Sequence, residues 1–167
     1  MNSFLVWLTA TPLSQLLQAQ IPWVWPLSET LHFLGLSLFA GIVGFFDLRL
    51  VGVIKRVSVR AVADLLPWAK AGFALNLFTG MVFLITQPGQ YAASSAFLAK
   101  AAFLLIAGLN IVIFEIAFKK KAYAVEAGED TPLFCKIFGG VSLVAWSGVL
   151  FFGRMLPYIG APEGAGF

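Results

Sequence analysis

The sequence predicts an all-α integral membrane protein, a four-helix bundle with an N-terminal amphipathic helix lying in the interface. Three observations carry this reading. Of 167 residues, 60% are hydrophobic and only 11% charged, too little charge for a soluble domain of this length. Four apolar stretches each approach the ~20 residues that a helix needs to cross the hydrocarbon core. The basic residues are also segregated: Arg49, Lys55, Arg56, Arg60 and Lys70 surround the first interhelical connection, and Lys119, Lys120, Lys121 and Lys136 the third, with only Lys100 and Arg154 elsewhere. That is a positive-inside pattern. The net charge of +3 therefore reports orientation and gives no reason to expect a nucleic-acid partner.

Residues 1–20 lack a basic leading region, and Pro12, Gln15, Gln18 and Gln20 interrupt their apolar run, so they do not read as a cleaved signal peptide. Phe4, Trp7 and Leu8, then Leu13, Leu16 and Leu17, recur at helical spacing beside a polar face. A helix over about 3–20, lying in the interface, is expected. Trp23 and Trp25 then mark the headgroup level.

The first span is expected over about 26–53, with Pro26 in its first turn. Ser58 is placed to cap a short helix reaching Leu66. Pro67 and Trp68 open the second span, about 67–87, which ends in the turn cluster Gln87-Pro88-Gly89-Gln90. The third takes about 95–118 and stops at Lys119–Lys121. Thr131 followed by Pro132 reads as the N-cap and first residue of the fourth span, about 132–156. The tail GAPEGAGF is small and loosely held. One transmembrane domain over 1–167 follows, with both termini outside; in a bacterium this means the inner membrane and the periplasm. The single Cys135 has no partner for an internal disulfide.

Small residues at Ser37 and Gly41, Ala40 and Gly44, Gly139 and Gly140, and Ala99 and Ala102 have spacings that let helices approach closely. Gly35 lies on the face of His32, the only histidine.

Ionisable groups within a span cost ~2.5–3.5 kcal/mol on insertion scales and usually face a partner or a cavity. His32 lies seven residues inward from Trp25, Lys100 six from Ser94, and Met81 seven before Pro88, each roughly 10 Å below the outer interface at 1.5 Å per residue. Glu29 and Arg154 lie nearer that interface. His32, Lys100, Glu29 and Arg154 thus converge on one layer from three helices. Two readings fit it. In one, Glu29 pairs with His32 at i, i+3, Lys100 snorkels outward and Arg154 anchors the interface. In the other, His32 is the metal ligand of a heme b, Gly35 leaves room for the porphyrin face, and Lys100 and Arg154 neutralise the propionates. With one histidine, the sixth iron position is left open, falls to Met81 or Met155, or comes from another subunit; Met81 points away from Asn76 and Gly80, which suits core packing. Too few ligands exist for a copper or zinc centre.

Asp47 and Arg49, near the inner end, are expected to pair with Glu115 or the basic loops. Asn76 and Asn110 are expected to hydrogen-bond between helices. No Ser-His-Asp, paired-carboxylate or phosphate-loop pattern occurs, so no enzyme class is assigned.

The phrases W-x-x-P-L-x-E-x-L-H-x-L-G (Trp23 to Gly35), D-L-R-L-x-G (Asp47 to Gly52), F-L-A-K (Phe97 to Lys100) and W-S-G-V…G-R (Trp146 to Arg154) together resemble an uncharacterised family of small bacterial four-helix membrane proteins. More distantly, the early His32 and the later Lys100 resemble the membrane-bound protoporphyrinogen oxidases and the copper-resistance D-type membrane domains. The first of these implies heme binding by the matching His32 and a functional Lys100, though this chain lacks that group's further histidines. The expectation is a heme b-binding, cytochrome-like electron-transfer component with its site on the periplasmic side. The alternative is a cofactor-free accessory subunit of a larger membrane complex, bound to other membrane subunits or to its own copies. A transporter needs a continuous polar path, and between the Lys100 and Asp47 layers only Asn76 and Asn110 are candidates for one.

Overall fold

A computed structural model describes residues 10–11, 14–15, 23–86, 88, 91 and 94–159. The expected interfacial helix and the glycine-rich tail fall almost entirely outside the described residues. The elements are α1 (Val24–Val51), α2 (Val59–Ala63), α3 (Leu66–Thr86), α4 (Ser95–Ile113), a π-turn (Phe114–Phe118), α5 (Lys119–Ala122) and α6 (Leu133–Met155). No strand occurs among the described residues. Four helices are long and apolar enough to cross a membrane: α1, α2 running into α3, α4 running through the π-turn into α5, and α6. The chain is an all-α four-helix bundle built for a bilayer.

Local sequence sets several of the ends. Gly52, at φ 92°, closes α1 by donating its N–H to the carbonyls of Leu48 and Arg49, a left-handed terminus that glycine adopts without steric cost. Ser58 caps α2 through its side chain, 3.2 Å from the Ala61 N–H. Ser94 caps α4 at the Phe97 N–H and also donates to the Ile159 carbonyl at 2.8 Å, tying the start of α4 to the end of α6.

Three ends differ from the sequence reading. α2 stops at Ala63, before Leu66. The third span does not stop at the lysines; Lys119–Lys121 are helical, after a π-turn that takes up one extra residue in the coil. α6 starts at Leu133 with Pro132 at the N-cap, and the Thr131 hydroxyl is buried without capping anything.

The long helices pack in the order α3, α1, α6, α4, and α3 makes no extended contact with α4. Two glycines govern the α1–α3 crossing. A β-carbon on Gly35 would fall 2.8 Å from the Gly72 carbonyl oxygen, and one on Gly72 the same distance from the Gly35 oxygen. Gly139 seats α6 against Leu50 and the Asp47 carbonyl of α1, and Gly148 receives the Phe103 ring of α4. Gly41, Gly44 and Gly140, by contrast, have nothing within 4 Å of such a β-carbon among the described residues. Spacing marks a small residue; only the neighbouring helix decides whether it is a contact.

Phe39, Phe73 and Trp146 make the aromatic centre of the bundle, with Phe39 and Trp146 edge to face at 4.4 Å. The larger buried core lies at the basic end. There Val59, Val62 and Ala63 of α2, with Ala122 and Val125, close over Phe46, Leu50, Phe114 and Cys135. Water meets the bundle at this end, so burial there gains hydrophobic energy that helix–helix contact within lipid does not.

Candidate functional site

His32 occupies α1 one turn before Gly35, where the tight crossing brings α3 against it. Its Nδ1 lies 2.7 Å from the Thr79 hydroxyl. Thr79 is buried and donates back to the Leu75 carbonyl at 2.9 Å, with the Asn76 carbonyl at 3.2 Å. A hydroxyl has one proton. Where that proton is directed at the helix backbone, the oxygen accepts from His32 Nδ1–H and Nε2 keeps its lone pair; where it is directed at Nδ1, the ring carries its proton on Nε2. Phe83 packs beside the ring with centroids 5.4 Å apart, and Gly80 borders Cε1. Asn76 fastens the same turn by donating from Nδ2 to the His32 carbonyl at 2.9 Å. α3 therefore holds the ring through Thr79 and Phe83 and the His32 backbone through Asn76.

Lys100, half-buried on α4, lies against Gly153 of α6, where a β-carbon would sit 3.7 Å from its Nζ. Glu29 and Arg154 are exposed. Glu29 does not pair with His32; its carboxylate accepts from the Trp25 indole at 3.0 Å, and Trp25 in turn packs on Phe83 at 5.1 Å. Tyr91 stands near Glu29; burial, then that negative charge, push its phenol above the ordinary value of 10.0. Arg154 makes no ion pair among the described residues. The space beside Gly35 is filled by Gly72 and Asn76, so it offers no room for a ring. Met81 is 46% exposed, turned outward and not packed in the core.

Sequence reasoning underrated a second polar cluster at the basic end. Arg49 has no exposure at all and makes no ion pair with a carboxylate among the described residues; Glu115 pairs instead with Lys119 at 2.6 Å. The Arg49 guanidinium donates to the carbonyls of Val57, Glu126 and Glu129, joining the first basic connection to the third. Asp47 is 3% exposed, with Ser142 facing it from α6. Asp47 Oδ2, Arg49 Nη1 and Thr131 Oγ1 are buried without a hydrogen-bond partner among the described residues. The signal was present as Asp-Leu-Arg inside an apolar run, but backbone carbonyls leave no trace in a sequence. Nearby, Asp130 bridges Lys55 at 3.0 Å and Lys136 at 2.8 Å. Asn110 behaves as expected, donating to the Phe138 carbonyl at 3.1 Å.

Among the described residues no group of three His, Cys, Asp or Glu side chains could hold a metal ion by itself. Compared with protein-family models, curated proteins and solved structures, the chain matches none.

Proposed function

We propose that this chain is a small b-type, cytochrome-like component of a bacterial inner membrane, taking part in electron transfer on the outer side through a heme held by His32. The observation that carries the reading is the His32–Thr79 hydrogen bond. Histidines that ligate metals donate their other ring N–H to a fixed acceptor, which sets the tautomer and the ring orientation. With His32 donating from Nδ1, Thr79 would be that acceptor and Nε2 the nitrogen that would face iron. Lys100 and Arg154 would supply cationic partners for two propionates, and Glu29 holds Trp25 beside Phe83. Bound heme would contribute one-electron chemistry; the chain's part is to orient the imidazole, keep the site dry with Phe83 and balance the carboxylates. Gly35 is closed by α3, so it would take no part in holding the group. The segregated lysines and arginines support an orientation with both termini in the periplasm.

The test is a reduced-minus-oxidised spectrum of the purified protein, with and without added heme. A Soret band that disappears in His32→Ala is the expected result. Its absence from the wild type after heme supplementation overturns the reading.

The weak α3–α4 contact supports a second reading, an accessory subunit without cofactor whose open seam takes a helix from another chain. That reading expects co-purifying partners and an unchanged complex in His32→Ala.

A further inference from the structure

At the basic end, on the side where α3 and α4 stand apart, a groove of about 320 Å³ runs between them. Its walls are Ile111, Val112 and Ile116 of the α4 arm, with Lys70 of α3 and Glu115 completing the lining. Glu115 and Ile116 belong to the π-turn Phe114–Phe118. A π-turn inserts a residue and re-aims the side chains around it, and such turns recur at functional sites.

The charge at the rim is unbalanced. Glu115 is already neutralised by Lys119 at 2.6 Å. Lys70, which lines the groove, is exposed and makes no ion pair among the described residues. Trp68, 65% exposed two residues before Lys70, suits the headgroup level at this end. An apolar furrow with the free ammonium group of Lys70 in its lining has complementary features to an acyl chain joined to a phosphate. Basic pockets between membrane helices recognise anionic headgroups in this way.

We propose that the α3–α4 groove is a binding site for one anionic phospholipid, with an acyl chain along Ile111, Val112 and Ile116 and the headgroup phosphate at Lys70. The lipid fills the seam that the helices leave open and joins α3 to α4 without direct contact. The site is independent of the His32 layer, at the other end of the bundle.

Native mass spectrometry of the purified full chain, loaded with phosphatidylglycerol or with phosphatidylcholine of the same acyl chains, tests this. One phosphatidylglycerol should be retained in preference to phosphatidylcholine by about fivefold, the scale of one lysine at an anionic surface. Lys70→Gln should bring the two to parity while Lys70→Arg keeps the preference, and Val112→Trp, which fills the furrow, should lose both lipids. Helical content by circular dichroism confirms that each variant is folded. Equal retention of the two lipids by the wild type overturns the proposal, as does a preference that survives Lys70→Gln. Competition by inorganic phosphate as effective as by the lipid, or disulfide cross-linking of Ile116→Cys between two copies in phosphatidylglycerol bilayers, also overturns it, since the groove would then belong to a free anion or to a second chain.

Discussion

Gly35 and Gly72 face each other so closely that a β-carbon on either would lie 2.8 Å from the other's carbonyl oxygen. Lipid tails are as apolar as leucine, so helices in a bilayer are held by close packing and hydrogen bonds and not by a hydrophobic drive. This crossing brings α1 and α3 near enough for both Asn76 and Thr79 to reach the His32 turn. Gly35→Ala should destabilise the bundle by about 1–3 kcal/mol, the usual cost of overpacking, whereas Gly41→Ala, with open space beside it, should leave it unchanged. Unfolding in mixed micelles measures both, and equal effects would show that the crossing is not the tight point.

The tautomer of His32 can be read directly, because the chain has one histidine. In nitrogen NMR of histidine-labelled protein, Nδ1 should carry the proton in the wild type. Thr79→Val removes the acceptor, should shift the proton to Nε2 and should cost about 1 kcal/mol of stability. Heme affinity at the proposed site should fall about 10–100-fold with it. A wild-type ring protonated on Nε2 would contradict the assignment.

Arg49 is the tie between the two basic connections. Arg49→Met removes the donor to three carbonyls and should destabilise the fold on the order of 3 kcal/mol, since these acceptors are left inside the protein. Amide exchange should rise together in residues 52–58 and 123–132. A rise confined to one of the two segments would argue against a shared clamp.

Asp130 gives the basic end a pH dependence. Hydrogen bonds from Lys136 and then Lys55 hold its carboxyl down to about 2, below the ordinary 3.8. A carboxyl lowered in the fold contributes stability above its ordinary value and loses it as the pH falls through the folded one. The contribution should therefore be complete above about pH 4 and fade toward pH 2. The group is exposed, so the effect is local: exchange in residues 126–132 should quicken over that window in the wild type, and Asp130→Asn should show the quicker rate at neutral pH.

Asn76 and Asn110 each donate across a helix interface. Replacing either by Leu should cost about 0.6 kcal/mol, the average for such bonds in a membrane protein. The two costs should add, because the residues serve different helix pairs. A coupling larger than either single effect would mean that the two interfaces move as one.

By itself the sequence determined what depends on composition and on counting along the chain: the membrane class, the number of spans, the cap at Ser58. Hydrophobic length and insertion cost act residue by residue, so a bilayer reads them much as the eye does. Which helices meet was decided only by the tertiary structure. Gly35 carries the same chemistry as Gly41, yet one is a crossing and the other faces open space, because rotation about the helix axis and the choice of neighbour are set by the whole bundle. For the same reason Glu29 pairs with Trp25, Thr79 takes the imidazole, and Arg49 finds backbone carbonyls that no side-chain pattern encodes.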